Sequence, residues 1–347
     1  MNLLAFETSC DETSVAVLRD GAIVANAVSS QIETHAVYGG VVPELATRQH
    51  LKNIPPLLQS ALHDSGLDTT DIDAVAATQG PGLPPALMIG FRAAQGYAFA
   101  LKVPFVGVHH HEAHLYSPWI SGDPPRAEWD SFRSSVSLIV SGGHTLLVRV
   151  DAPLEHRILG GTIDDAAGEC FDKVAKLIGL PYPGGPEMDR LAAGGNSKAF
   201  QFPRPMLKEA NDDFSFSGLK TSVRCFLEKH PEILESGPSI RDLCASVQAA
   251  IVEVLVTKTI RTAKRCGLDT ITAAGGVACN SGLRSVLERA CERKGFMLRI
   301  ATPKLCTDNA GMVAVLGDLH LKSGRGHLVD DGDVKPGWSL DAAASEH

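Results

Sequence analysis

The strongest constraint on the fold is a pattern that occurs twice. Residues 3–6 (L-L-A-F) form a short apolar run, residues 7–13 (E-T-S-C-D-E-T) a polar turn, residues 14–18 a second apolar run and residues 22–28 a third. Residues 136–150 repeat the scheme: strand, glycine-containing polar turn, strand, then a third run near 157–159. Short apolar runs bounded by polar turns read as strands. Between and after these hairpins the chain alternates strand and helix signals, as in α/β domains. A hairpin opening each half is internal symmetry at the scale of a domain. It predicts two similar α/β domains facing each other across a cleft, each contributing a phosphate-type loop. The chain of 347 residues, 44% of them hydrophobic, is long enough for two such cores.

In the first half, residues 39–50 lead into a helix that Pro55-Pro56 is expected to interrupt or restart. Residues 73–78 read as a strand, 79–83 as a tight turn, and Pro84 as the first turn of a helix reaching about Leu101. The apolar run 103–108 then meets V-H-H-H-E-A-H-L at 108–115. These histidines therefore stand where a strand ends and a helix begins, the place where open α/β sheets hold ligands. His110 and His114 share a helix face at four-residue spacing and can converge on one ion; His111 and His114, three apart, can do the same. Glu112 stands two residues before His114, so the H-E-x-x-H spacing of zincin peptidases is not met. In the turn 7–13, hydroxyls and backbone amides can hold phosphate, whereas Asp11 and Glu12 would repel it unless a metal or a sugar hydroxyl intervenes.

Residues 121–134, polar and rich in turn formers, read as a connector. A helix is expected over 163–178, with Asp165, Glu169 and Asp172 on one face. The turn 182–189 is Gly-rich, allows close backbone approach to a ligand, and places Asp189 where it can accept ribose hydroxyls. In 201–206 and 214–221, aromatics alternate with serines and precede Lys220 and Arg224. That pattern suits either RNA contact or a packed Phe pair on an edge strand. Lys258, Arg261, Lys264 and Arg265 end a long helix over 240–266, where they complement its dipole without other partners. Gly275-Gly276 turns strand 270–274 into helix 281–294, fitting close approach of a nucleoside. Asp308 opens a last helix, either as its N-cap or as an oxygen ligand completing a two-histidine site. The tail from Gly332 is expected to be mobile.

The formal charge of −8 argues against a chain that coats nucleic acid by itself. Eight scattered cysteines without C-x-x-C spacing fit reduced thiols; Cys10 and Cys279 sit in turns and read as small fillers. No stretch reads as long and apolar enough to span a membrane, and no basic leader precedes the first strand, so a cytoplasmic location is expected.

Several blocks together resemble one family. They are E-T-S-C-D-E-T at 7–13, Y-G-G-V-V-P-E-L-A at 38–46, V-H-H-x-E-x-H-L at 108–115 and V-S-G-G-H-T at 140–145. D-D-A-A-G-E-x-F-D-K at 164–173, F-S-F-S-G-L-K-T at 214–221, G-G-V-x-x-N at 275–280 and C-T-D-N at 306–309 complete the set. The chain resembles the TsaD family of tRNA N6-adenosine threonylcarbamoyltransferases, bacterial type, over roughly residues 2–320. The resemblance implies an actin-like, Hsp70-like (ASKHA) fold, two similar α/β domains around a central nucleotide cleft. It implies a first domain of 1–120 plus about 308–330, a connector 121–134, a second domain 135–307 and a tail 331–347.

It also implies transfer of threonylcarbamoyl from threonylcarbamoyl-AMP to N6 of adenosine 37 in tRNAs reading codons that begin with A, forming t6A. By the same resemblance His110, His114 and Asp308 hold one divalent metal, iron(II), with zinc(II) the alternative. Ile139, Val140, Ser141, Gly142, Gly143, Asp172, Gly185, Asp189 and Asn280 hold the adenylate, and Asp11 and Glu12 serve catalysis. The implied partners are tRNA, a TsaB-like pseudo-paralogue, a TsaE-like ATPase and, upstream, a TsaC-type adenylate synthase. His111 stands where the family pattern has an apolar residue, which keeps the second histidine pairing open. An ASKHA kinase, a metallopeptidase and a binding scaffold are the competing classes. The first would suit the hairpin loops but leave the histidines unexplained, and the other two lack the required glutamate spacing or any use for distant ligand-type residues.

Overall fold

A computed structural model describes residues 1–327 and 332–345. The chain divides into two compact units, residues 1–132 with 301–347 and residues 133–300.

The first unit opens with the antiparallel strands β1 (Asn2–Glu7), β2 (Glu12–Arg19) and β3 (Ala22–Ser30). A short helix α1 (Ile32–Ala36) and a long one, α2 (Pro43–Ser65), follow. The expected break at Pro55-Pro56 does not occur: α2 is continuous. Both prolines, and the residues four positions earlier whose carbonyls lose a donor, Leu51 and Lys52, face solvent, so water can satisfy the orphaned carbonyls. Next come β4 (Ala74–Gly80), α3 (Pro84–Leu101), β5 (Phe105–His109) and α4 (His110–Tyr116). The strands β1, β4 and β5 are parallel neighbours, so their carboxyl ends lie at one edge of the sheet.

The expected connector is not a linker. Strands β6 (Ile120–Ser121) and β7 (Arg126–Ala127) form a hairpin that extends the seven-stranded sheet through the pair Ala22 and Arg126, giving the order β5-β4-β1-β2-β3-β7-β6. Trp119 and Trp129 pack on Phe132 behind it.

The second unit has the five-stranded order β10-β9-β8-β11-β12. It begins with β8 (Ser135–Val140), β9 (Thr145–Ala152) and β10 (Glu155–Gly161). Helices α5 (Ala167–Leu177), α6 (Gly184–Ala192), α7 (Ser217–Lys229) and α8 (Gly237–Cys266) follow. Then come β11 (Thr270–Ala274), α9 (Ser281–Lys294) and β12 (Met297–Ile300), a strand the sequence reading did not resolve.

Helix α5 starts later than expected. Asp164 is drawn away to the start of α7, where its carboxylate accepts from Phe216 N (2.9 Å), Ser217 N (3.3 Å) and the hydroxyls of Ser215 and Ser217. Asp165 therefore shares no helix face with Glu169 and Asp172; it pairs with Lys173 and Lys220 instead. Phe214 and Phe216 are fully buried and stacked, so the aromatic–serine stretch is a packed pair and not an exposed stacking platform.

The basic end of α8 does have partners. Lys258 is fully buried and donates to the carbonyl of Asp213 and to the carbonyl and side chain of Asn211, while Arg265 pairs with Asp212. Helix α8 is also long and apolar enough to cross a membrane by composition, contrary to the sequence reading, yet 72% of its most apolar window is buried inside the protein. No other helix among the described residues meets that test.

The chain then returns to the first unit with α10 (Pro303–Cys306) and α11 (Ala310–Lys322), which packs on β1, β2, β4 and α4, and ends with α12 (Leu340–Ser345). The tail is not loose where it is described: Lys335 N donates to Gln79 O at 2.7 Å, and Leu340 is buried. Residues 331, 346 and 347 of the expected tail lie outside the described residues.

Candidate metal centre, acidic turn and glycine cradle

The carboxyl ends of β1, β4 and β5 bring Glu7, Thr78 and the start of α4 to one level. The parallel register pairs Phe6 with Ala77 and Thr78 with Val108. Helix α4 then projects His110 and His114 from one face, as four-residue spacing dictates. From the far end of the sequence comes Asp308. It is not the N-cap of α11; Asn309 is, accepting from Met312 N at 3.1 Å. Ser14 and Asn26 accept from the next two backbone amides, Ala310 N (2.9 Å) and Gly311 N (3.2 Å). With the helix start satisfied, Asp308 turns to the histidines. Its Oδ1 lies 3.1 Å from His114 Nε2 and 3.4 Å from His110 Nε2.

His110, His114 and Asp308 thus offer three ligand atoms within 4.8 Å of one another. The surroundings fit a metal ion. Glu7, fully buried, accepts at 3.0 Å from His110 Nδ1. A carboxylate there keeps the proton on Nδ1 and the Nε2 lone pair toward the cluster, the usual support of a metal-bound imidazole. Glu7 is itself fixed by Ser9 N and the Thr78 hydroxyl, each at 2.5 Å. His111 contributes no atom to the cluster; its ring packs 5.6 Å from that of His110.

Charge is tightly balanced. Burial disfavours the His110 cation, but the carboxylates of Asp308 and Glu7 outweigh it and hold the imidazole well above its ordinary value. Burial lowers His114, which therefore presents a neutral ring. Burial would raise Asp308 and Glu7, yet His110 pulls both below the usual carboxylate range. A buried imidazolium between two carboxylates is a site whose proton a divalent cation can replace.

The turn between β1 and β2 carries Asp11 and Glu12. The side of Gly90 facing Thr8 has no room for a Cβ, which would lie 2.4 Å from the Thr8 hydroxyl, so α3 sits directly on the turn. On its other side a chain of hydrogen bonds runs inward. Val42 N donates to His35 Nδ1 (3.2 Å), and His35 Nε2 to Gln31 Oε1 (3.2 Å). Gln31 Nε2 donates to His50 Nδ1 (3.3 Å), and His50 Nε2 to Cys10 O (3.0 Å). Each tautomer follows from its backbone partner. Burial keeps His50 neutral. Gln31 N adds a bond to Asp11 O at 3.0 Å.

Glu12 is pushed up to about 9 by burial and by Asp11 and Asp308, so without a cation nearby it holds a proton at neutral pH. Burial and Asp11 push the Cys10 thiol far up, which leaves it a filler and not a nucleophile.

In the second unit, Ile139 and Val140 are fully buried in β8, so only their backbone can face a ligand. Ser141, Gly142 and Gly143 form the exposed β8–β9 turn, closed by Ser141 N donating to His144 O at 2.8 Å. Gly168 at the start of α5 and Gly275 after β11 press against this strand end. A Cβ on either would meet Ser141 O at 2.5 Å or Val140 O at 2.4 Å, and Gly275 has φ +93°. Asp172 accepts from Gly184 N (2.8 Å) and Gly185 N (3.1 Å), tying α5 to the start of α6. Asp189 accepts from Ser281 N (2.8 Å) and the Ser281 hydroxyl (2.9 Å). Asn280 caps α9 through Leu283 N (2.8 Å). Asp172, Gly185, Asp189 and Asn280 are thus linked through helix starts, whose first amides the side chains of Asp172, Asp189 and Asn280 engage. The sequence reading missed Glu7 as the His110 partner, Asn309 as the helix cap, and His35 and His50 behind the acidic turn. The E-T-S-C-D-E-T block, which contains Glu7, and the C-T-D-N block, which contains Asn309, were the signals for two of them.

The alternation of sheet and helix in both units is that of the actin-like fold. The (R)-2-hydroxyglutaryl-CoA dehydratase component A of Acidaminococcus fermentans superposes with a TM-score of 0.55 at 16% identity, over 93% of this chain and 99% of that one. A profile of the TsaD family, described as tRNA N6-adenosine threonylcarbamoyltransferase, matches residues 22–315. The enzyme of that name from Geotalea uraniireducens (strain Rf4) is 50% identical over 348 residues, spanning 99% of this chain and 98% of the relative. That from Syntrophotalea carbinolica is 48% identical with the same coverage. The chain belongs to the TsaD family. It is a transferase that modifies N6 of a tRNA adenosine with a threonylcarbamoyl group.

Proposed function

We propose that this chain takes threonylcarbamoyl-AMP as donor and adenosine 37 of tRNAs reading A-initial codons as acceptor, with one iron(II) ion, or zinc(II) in its place, on His110, His114 and Asp308. The observation that carries this reading is the meeting of those three side chains, with Glu7 behind His110, in a member of a threonylcarbamoyl-transferring family.

The donor is a mixed carbamic–phosphoric anhydride, already activated, so no protein nucleophile is required. The adenine amine attacks the carbonyl carbon, the C–O bond to phosphate breaks, and AMP leaves with the electron pair. When bound, the ion supplies Lewis acidity toward an oxygen of the anhydride. Backbone amides of Gly142 and Gly143, beside the Ser141 hydroxyl, are suited to the phosphate. Ser141 N and Gly185 N are engaged by His144 O and Asp172, so Gly185 offers close backbone approach to the adenylate and not an anion-binding amide. Ile139 and Val140 offer backbone only. Asp172, Asp189 and Asn280 fix the helix starts that frame the adenylate, with spare lone pairs for its ribose.

Asp11 or Glu12 orients the amine or receives its proton. Burial, with Asp11 and Asp308, keeps Glu12 protonated, which favours Asp11 as the acceptor. The test is single-turnover transfer with Asp11→Ala and Glu12→Ala. Each should slow the chemical step, and two wild-type rates would remove both residues from the mechanism. Because the chain is acidic, basic surface for tRNA is expected from partners, a TsaB-like pseudo-paralogue and a TsaE-like ATPase, with the donor made by a TsaC-type synthase in the cytoplasm.

A further inference from the structure

The proposed chemistry makes no use of the segment after Gly332, yet this segment is built into the first unit at many points. Arg92 pairs with Asp333 at 3.0 Å and, with Gln95, donates to Gly332 O. Gln79 Nε2 donates to Asp333 O (2.8 Å), Lys335 N to Gln79 O (2.7 Å) and Gly82 N to Pro336 O (3.2 Å). Gly80 has no room for a side chain, since a Cβ there would lie 1.9 Å from Lys335 O. Lys335 then covers the ring of Trp338 at 4.2 Å, and Ala343 is buried.

The segment ends its course on His109, the residue before the metal ligand His110. Trp338 O lies 3.1 Å from His109 Nε2, and the two rings are 5.0 Å apart. A carbonyl oxygen only accepts, so Nε2 must carry the proton. That leaves the Nδ1 lone pair free, and Nδ1 accepts from Glu112 N at 3.3 Å. His109 is thus the N-cap of α4, and the Trp338 carbonyl selects the one tautomer that can cap. Helix α4 has only seven residues, and two of them are the metal histidines. So short a helix owes its first turn to tertiary bonds.

We propose that the C-terminal segment positions the metal centre: through Trp338 it locks His109 as the cap of α4 and so holds His110 and His114 in register. Trp338 and His109 are positioning residues. The inference rests on the metal reading above.

The test is metal affinity of the full chain, measured for Zn2+, and for Fe2+ under anaerobic conditions, by competition with a chromogenic chelator. Trp338→Ala keeps the backbone carbonyl but removes the ring that packs on His109 and under Lys335, so the carbonyl loses its fixed place against Nε2. His109→Asn keeps a good cap for Glu112 N but is too short to reach the Trp338 carbonyl. Each should weaken Zn2+ binding by about tenfold, the scale of lost outer-sphere support. The double variant should be no weaker than the more affected single variant, because both break one connection. Trp338→Phe, which keeps a ring on His109, should recover most of the affinity, and all variants should hold one ion per chain. Parental affinity in both single variants, or effects that multiply in the double variant, would overturn the inference. A parent protein that binds no stoichiometric ion would overturn the metal reading and this inference with it.

Discussion

Glu7→Gln probes the proposed metal site without changing its shape. Glu7 is fully buried and accepts on two sides: Oε1 from Ser9 N, Oε2 from the Thr78 hydroxyl and from His110 Nδ1. A glutamine offers one acceptor oxygen and one NH2 group. If the NH2 faced Ser9 N, a buried backbone donor would lose its Glu7 acceptor, at a cost of about 1–3 kcal/mol. If it faces His110, the ring can escape the clash by moving its proton to Nε2, and the Thr78 hydroxyl can rotate to accept. The second arrangement is cheaper and should win. It withdraws the Nε2 lone pair that the ion needs. Affinity should therefore fall roughly 10–100-fold, or about 1.4–2.7 kcal/mol, while the metal-free fold persists. Chelator competition with Zn2+ measures the affinity and circular dichroism the fold. Parental affinity in a folded Glu7→Gln protein would show that the Glu7–His110 bond does not set the ligand tautomer.

The remaining predictions concern pH and packing. In the metal-free protein the raised His110 contributes stability that is complete below its ordinary value near 6.5, and is lost as pH rises through its elevated value. Depressed Asp308 and Glu7 contribute above the ordinary carboxylate range and lose their contribution as pH falls through their lowered values. Denaturant melts of metal-free protein should thus weaken above about pH 6.5, while metal affinity rises over the same window because the His110 Nε2 proton must leave. Lys258→Met should destabilise the second unit by about 1–3 kcal/mol. It orphans Asp213 O, whereas Asn211 O keeps its bond from Arg261. Gly275→Ala, at φ +93° with a Cβ 2.4 Å from Val140 O, should displace the 141–143 turn. It should abolish AMP binding measured by calorimetry before it abolishes folding of the first unit.

Much of the fold was legible because it is local. The hairpins 3–28 and 136–159 announce themselves by short apolar runs and polar turns, and helix α4 follows from a strand that ends on histidines. Other features were hidden because they are not local. Nothing near Glu7 in the sequence marks it as the partner of His110, 103 residues away; only the parallel order β5-β4-β1 brings them level. The tail reads as polar and small, yet its backbone bonds to Gln79 across more than 250 residues hold it in place. Pro55-Pro56 misled because proline costs a helix least where water can reach the freed carbonyls. Lys258 reads as one of four basic residues at a helix end, and only the 211–213 loop folding over it reveals a buried cation.

The most direct measurement is the transfer reaction itself. Purified protein is given synthetic threonylcarbamoyl-AMP and an unmodified tRNA reading A-initial codons, with and without the TsaB-like and TsaE-like partners. Threonylcarbamoyl-adenosine is then read by mass spectrometry of the digested tRNA. The account predicts product with the parent chain and its loss in His110→Ala and Asp308→Ala, with AMP released in step with product. Full product from both variants, or ATP turned over to ADP with no modified adenosine, would contradict it.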